Sequence, residues 1–335
     1  MTRPFIVLQS AFHQLVPPTA RLERIAAGYL FSEGPVWRGD HLLFSDIPRS
    51  RIVRWQGSAA GSEVTTFRME KTAESDRQAD SQSNEEGPAA PLGPAETRWN
   101  TGQCNGMTLD RENRLIVCGH GARRLTRTEH DGTITVLADR FESKRLNSPN
   151  DVVLHRSGAL YFTDPPWGLE QQSVGKELPY QGVFRLAIEG NLTLLSDELQ
   201  HPNGLAFSPD QSLLYVGDDA TGVIHVFDVL ASGALANRRR FAEIPLPSPL
   251  GPDDGSPDGV KTDSEGNVYV ATIGGVWIFR PDGLLLGILS TPEVPGNLAW
   301  GGQDWRTLFI TATTSVYRIS MSVAGIPVGS ELAHS

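Results

Sequence analysis

One phrase recurs six times along the 335 residues: a polar residue opens a short strand, a tight turn follows, and an apolar strand returns. The openings are Glu33-Gly-Pro-Val-Trp, Asn105-Gly-Met-Thr-Leu, Asn150-Asp-Val-Val-Leu, Asn203-Gly-Leu-Ala-Phe, Asp258-Gly-Val-Lys-Thr and Asn297-Leu-Ala-Trp. The returns are His41-Leu-Leu-Phe-Ser, Arg114-Leu-Ile-Val-Cys, Ala159-Leu-Tyr-Phe-Thr, Leu213-Leu-Tyr-Val-Gly, Asn267-Val-Tyr-Val-Ala and Thr307-Leu-Phe-Ile-Thr. Gly, Asn, Asp or Pro stands at every bend between them, as hairpin turns require. A fixed unit repeated along a chain sets the architecture more firmly than any single element.

Third strands follow in most units, as in Arg51-Ile-Val-Arg-Trp, Gly182-Val-Phe-Arg-Leu and Ser315-Val-Tyr-Arg-Ile. The openings lie 72, 45, 53, 55 and 39 residues apart, around the roughly 40–50 residues of a four-stranded propeller blade. The pattern therefore predicts an all-β, six-bladed β-propeller with four-stranded blades, a single domain over residues 1–335. Residues 1–19 read as an N-terminal extension. Residues 20–30 read as an outer strand that pairs with the last blade and closes the ring without a free edge. The long first interval contains residues 70–96, rich in Glu, Asp, Ser, Gln, Ala and Pro, with seven acidic residues against Lys71 and Arg77. So little apolar surface cannot order a segment, which predicts a mobile acidic insertion in blade 1.

Thirty-four Gly and 23 Pro suit a chain built of turns. A formal charge of -10, with Arg238-Arg239-Arg240 the only tight basic cluster, argues against a nucleic-acid partner. No apolar run is long enough to span a bilayer, which argues against a membrane partner. The opening residues lack the features of a signal peptide, so cytoplasm is the expected location. Cys104 and Cys118 make neither a disulfide framework nor a zinc spacing and are expected as buried free thiols.

The innermost strand of a propeller blade lines the central channel, so six polar openers converge at one end of it. They are two carboxylates, Glu33 and Asp258, and four amides, Asn105, Asn150, Asn203 and Asn297. Oxygen-only donors suit a hard divalent cation, Ca2+ first, then Mg2+ or Mn2+. The competing reading is that Asn or Asp before Gly simply makes a turn. It suits single positions better than the set, since Glu33 is no turn former and Asn150 precedes Asp151. No serine-nucleophile elbow, phosphate loop, dinucleotide fingerprint or EF-hand loop occurs.

Phe31-Ser-Glu-Gly-Pro-Val-Trp, Leu146-Asn-Ser-Pro-Asn-Asp-Val-Val, Leu160-Tyr-Phe-Thr-Asp-Pro-Pro-Trp-Gly-Leu, His201-Pro-Asn-Gly-Leu-Ala-Phe-Ser-Pro-Asp and Pro257-Asp-Gly-Val together resemble the gluconolactonase branch of the SMP-30/gluconolactonase/luciferin-regenerating family. The resemblance runs from about residue 20 to 320. It implies one divalent metal in the channel, held by Glu33, Asn150, Asn203 and Asp258; Asn105 and Asn297, which share the register, are assigned to the channel wall. It also implies a metal-dependent lactonase acting on a small-molecule sugar lactone or related ester; because oxygen ligands accept several dications, Zn2+ is a further candidate ion. Asp258 would serve as ligand and as catalytic base or nucleophile. Substrate contacts are expected from Asn105, Arg145, His120 and Trp167, each also readable as a structural side chain. The alternatives are a phosphotriesterase-like organophosphate hydrolase using the same constellation and a non-catalytic metal-binding propeller.

Overall fold

The computed structural model describes residues 5–58, 61–69, 103–169, 172–245 and 256–330. Their strands form six antiparallel sheets arranged as the blades of a propeller, plus the two-stranded ribbon Arg140–Phe141 and Lys144–Arg145. The innermost strands of blades 1 to 6 are Ser32–Arg38, Cys104–Leu109, Val152–Leu154, Pro202–Phe207, Val260–Thr262 and Pro295–Gly301. Each leads outward through sequential hairpins, and two blades end on a strand from the beginning of the chain. In blade 6 that outermost strand is Glu23–Ala27, paired antiparallel with Ser315–Ser320. The first and last parts of the fold are thereby joined, and the ring closes as its pattern predicts.

Burial explains the composition of each strand. The second strands, such as Leu115–Gly119, Leu160–Asp164 and Val268–Thr272, are buried at every residue. They lie between two neighbouring blades, so both faces are covered and the apolar run is nearly continuous. An outer strand such as Ile134–Ala138 is mostly open to solvent and reads mixed.

The core follows the seams between blades. Val36, Leu43 and Ile52 of blade 1 pack with Met107, Leu109 and Leu115 of blade 2. Ile116, Leu125, Phe162 and Phe184 fill the next seam, and Tyr161, Val183, Leu205 and Phe227 the one after. At the closing seam the rings of Trp37 and Phe309 stack at 5.2 Å and 10°. Each such side chain contributes about 1.5–3 kcal/mol on burial, so the ring is held by its seams.

The N-terminal residues are more than an extension. Phe5–Val7 adds a fifth strand to blade 5 against Leu285–Leu289, and Phe12 is fully buried in the adjoining core. Three residues are too short for a strand pattern to be seen in the sequence, which is why this element escapes it. The acidic insertion at 70–96 lies outside the described residues. Among those described, no helix is long and apolar enough to cross a membrane. Cys104 and Cys118 are free and buried, and burial pushes the Cys104 thiol up to about 11.

Candidate active site

Every inner strand carries an irregularity at its opening residue. In blade 1 the pairs Glu33↔Ser45 and Val36↔Leu43 leave one extra residue on the inner strand. The same occurs between Cys104 and Met107, between Pro202 and Leu205, and between Pro295 and Asn297. In blade 3 Asn150 N–H donates to the Thr163 carbonyl (2.9 Å) while Thr163 N–H donates to that of Asp151 (3.1 Å). Asp258, Gly259 and Ala271 repeat this two-against-one pairing in blade 5. A β-bulge re-aims its side chain, and six bulges in register turn six openers toward one end of the channel.

The glycines after the openers are therefore not turn residues. Asn105-Gly106 and Asn203-Gly204 lie inside inner strands, and their role is close approach between blades. Gly106 N–H donates to the Asn150 carbonyl at 2.7 Å, Gly204 N–H to that of Asp258 at 3.1 Å, and Gly259 N–H to that of Gly296 at 2.7 Å. A Cβ on Gly204 would stand 2.2 Å from the Asp258 carbonyl oxygen, and one on Gly106 2.5 Å from that of Asn150. No side chain fits there, so inner strands touch backbone to backbone and draw the openers together.

A cavity of about 230 Å3 opens over them, lined by Glu33, Asn105, His120, Asn150, Trp167, Asn203 and Asp258, with Phe31, Ile47 and Asp219 completing the wall. Glu33 accepts the Gly34 N–H and the side-chain amide of Asn297. Asp258 accepts the side-chain amide of Asn203. Burial raises Glu33 to about 7 despite these bonds, and burial followed by the Glu33 charge raises Asp258 well above the carboxylate range. Two carboxylates brought together without a cation hold protons tightly.

The donor set fits a hard dication. Asn203 Oδ1 is buried and has no hydrogen-bond partner, an expensive state for a neutral amide oxygen. A Cβ on Gly296 would sit 2.6 Å from Glu33 Oε1 and 3.5 Å from Asp258 Oδ2, so these oxygens are at most 6.1 Å apart, the sum of the two distances. Glycine leaves open the space between them. Among the described residues no group of three or more His, Cys, Asp or Glu forms a metal cluster. The cavity's two neighbouring carboxylates would share a cation with amide oxygens instead, a set that suits Ca2+ better than Zn2+.

Beneath the openers, Lys261 Nζ reaches Asp151 Oδ2 (3.2 Å), Asn297 Oδ1 (3.2 Å) and the Val260 carbonyl (3.0 Å). Asn297 thus has its oxygen fixed from below and its amide directed at Glu33. Further along the same strands a second cavity of about 90 Å3 is mainly apolar, closed by Ile326, Pro327 and Val328. It offers little to bind a polar substrate.

Of the expected substrate contacts, three line the cavity. Asn105 is buried in its wall. His120 is buried, with Nδ1 3.4 Å from the Pro149 carbonyl, and burial lowers it to about 4, so its imidazole is neutral at physiological pH. Trp167 is half-buried and meets the His201 ring edge-on at 5.6 Å. Arg145 does not line the cavity: it lies in the two-stranded ribbon, its N–H bonded to Glu177 Oε2 (2.8 Å) and its guanidinium near the Ala122 carbonyl (3.5 Å). Five residues of extended chain span about 16 Å, enough to carry Arg145 away from Asn150. The sequence reading missed Phe31, Ile47 and Asp219. Ile47, His120 and Asp219 each directly follow a blade's second strand.

The profile of the SMP-30/gluconolactonase/LRE-like region matches residues 31–314. A gluconolactonase from Zymomonas mobilis is 36% identical over 315 residues, covering 91% of this chain and 82% of that one. A 6-deoxy-6-sulfogluconolactonase from Pseudomonas putida is 31% identical over 134 residues, covering 39% of this chain and 44% of its own. The solved structure of a gluconolactonase from Xanthomonas campestris superposes with a TM-score of 0.78 at 32% identity, covering 95% of each chain.

Proposed function

The chain belongs to the SMP-30/gluconolactonase/LRE-like family, and from that premise we propose that it hydrolyses sugar lactones with the help of one divalent cation held by Glu33, Asn150, Asn203 and Asp258. The observation that supports this most is the pairing of Glu33 and Asp258 beside the unpartnered Asn203 Oδ1, at the floor of a cavity of monosaccharide size. Ca2+ is the first candidate, ahead of Mg2+, Mn2+ and Zn2+. Bound there, the ion would polarise the lactone carbonyl and make a neighbouring water more acidic.

The side chains do the rest. Asp258, oriented by the Asn203 amide, takes the proton of the attacking water on its carboxylate. The water oxygen bonds to the carbonyl carbon, the ring C–O bond breaks, and the leaving ring oxygen takes up the proton. The open hydroxy acid then ionises to an anion. Asn105 and the neutral His120 bond the sugar hydroxyls, and Trp167 offers an apolar face to the ring. The three relatives named above are each called a lactonase, which favours this reading over an organophosphate hydrolase or a non-catalytic metal-binding propeller.

A panel of 1,4- and 1,5-aldonolactones, assayed after chelation and after readdition of Ca2+, Mg2+, Mn2+ or Zn2+, tests this reading. Hydrolysis should disappear with the ion and return with at least one of the four. Rates unchanged by stripping, or no lactone hydrolysed with any ion, would overturn it.

A further inference from the structure

We infer that Asp219 sets the substrate class: it makes the cavity select neutral sugar lactones over lactones carrying an anionic substituent, and it favours release of the anionic product. This rests on the lactonase reading above. Asp219 is fixed on the wall from three sides. Its N–H donates to the His201 carbonyl (2.9 Å), Ser256 Oγ donates to its Oδ1, and His201 Nδ1 lies 4.0 Å from its Oδ2. His201 in turn meets the Trp167 ring at 5.6 Å, so the carboxylate stands beside the surface offered to the sugar. Its charge is also felt at Asp258, after burial and the charge of Glu33.

The charges on the wall decide the direction. Glu33, Asp219 and Asp258 line the cavity, and the described lining residues include no Lys or Arg. His120 is neutral, and the Lys261 ammonium below is bonded to Asp151. A dication would neutralise Glu33 and Asp258; Asp219 is the third carboxylate, held by Ser256 and faced by the His201 imidazole at 4.0 Å, which offsets part of its charge when protonated. A neutral aldonolactone meets no charge penalty on entry, whereas a 6-phosphate or 6-sulfonate does. Hydrolysis turns the neutral ring into a carboxylate anion, which the same charge repels. At an effective dielectric of about 20, two like charges about 10 Å apart are worth roughly tenfold in affinity.

The test measures kcat/KM for glucono-1,5-lactone and its 6-phosphate, and calorimetric binding of gluconate to the metal-loaded protein, in wild type, D219N and D219E. Wild type should prefer the neutral lactone by about tenfold or more. D219N should shrink that ratio about tenfold and bind gluconate about tenfold more tightly, while D219E keeps both values near wild type. A wild type indifferent to the 6-phosphate overturns the inference, even if D219N fails to fold. So does a D219N that hydrolyses the neutral lactone with ratio and gluconate affinity unchanged. A wild type that hydrolyses no lactone instead removes the reading beneath it.

Discussion

Asn203 gives its side-chain amide to Asp258 and keeps its own Oδ1 buried without a partner. One residue thus orients the proposed base and presents an oxygen to the proposed cation. Asn203→Asp should keep the oxygen but lose the donated hydrogen bond and add a charge. Asn203→Leu removes both contacts and should weaken Ca2+ binding at least about tenfold, equivalent to about 1.4 kcal/mol, as read by calorimetric titration of the stripped protein.

Glu33 gives the pH dependence. In the metal-free protein its folded value is about 7 against an ordinary 4.5, because of burial. Between those values the folded state holds a proton that the unfolded chain has released, so stability falls as pH rises across that window. Glu33→Gln lacks this slope. In chelator it should melt higher than wild type at pH 8, with the gap closing near pH 5. A cation needs the deprotonated carboxylates, so wild-type Ca2+ affinity should rise with pH through about 7.

Lys261 holds the floor. Its partner Asp151 is almost completely buried, and removing one member of a buried pair strands the other charge. Lys261→Met should cost about 3–5 kcal/mol in chemical denaturation. A second change, Asp151→Asn, should recover part of that loss.

The close approach of inner strands makes a further prediction. Gly204→Ala places a Cβ against the Asp258 carbonyl and should destabilise the fold by about 1–3 kcal/mol. Gly190, at φ +90 with open space around its Cβ position, should lose only about 1 kcal/mol to alanine.

The openers were legible in the sequence because they share one register across six units, each beginning a strand whose second partner is mostly apolar. The amino acids could not reveal why glycine follows four of them. Chain-local turn chemistry and contact between distant strands select the same residue, and only the bulged pairing with its bonds between blades separates the two. Arg145 was misplaced because nearness in sequence to Asn150 is not nearness in an extended chain. Asp219 was missed because it belongs to a loop, and loops carry no hydrophobic period. Counting one residue past each second strand, as His120 invites, would have found it.

Oxygens of Glu33, Asn150, Asn203 and Asp258 are proposed to meet around one cation, which anomalous diffraction from crystals soaked in Mn2+ after chelation would locate. A single strong peak is expected in the channel mouth within coordination distance of those four side chains, lost in Asp258→Asn. A peak elsewhere, or none from crystals of protein that still hydrolyses lactones, would contradict it.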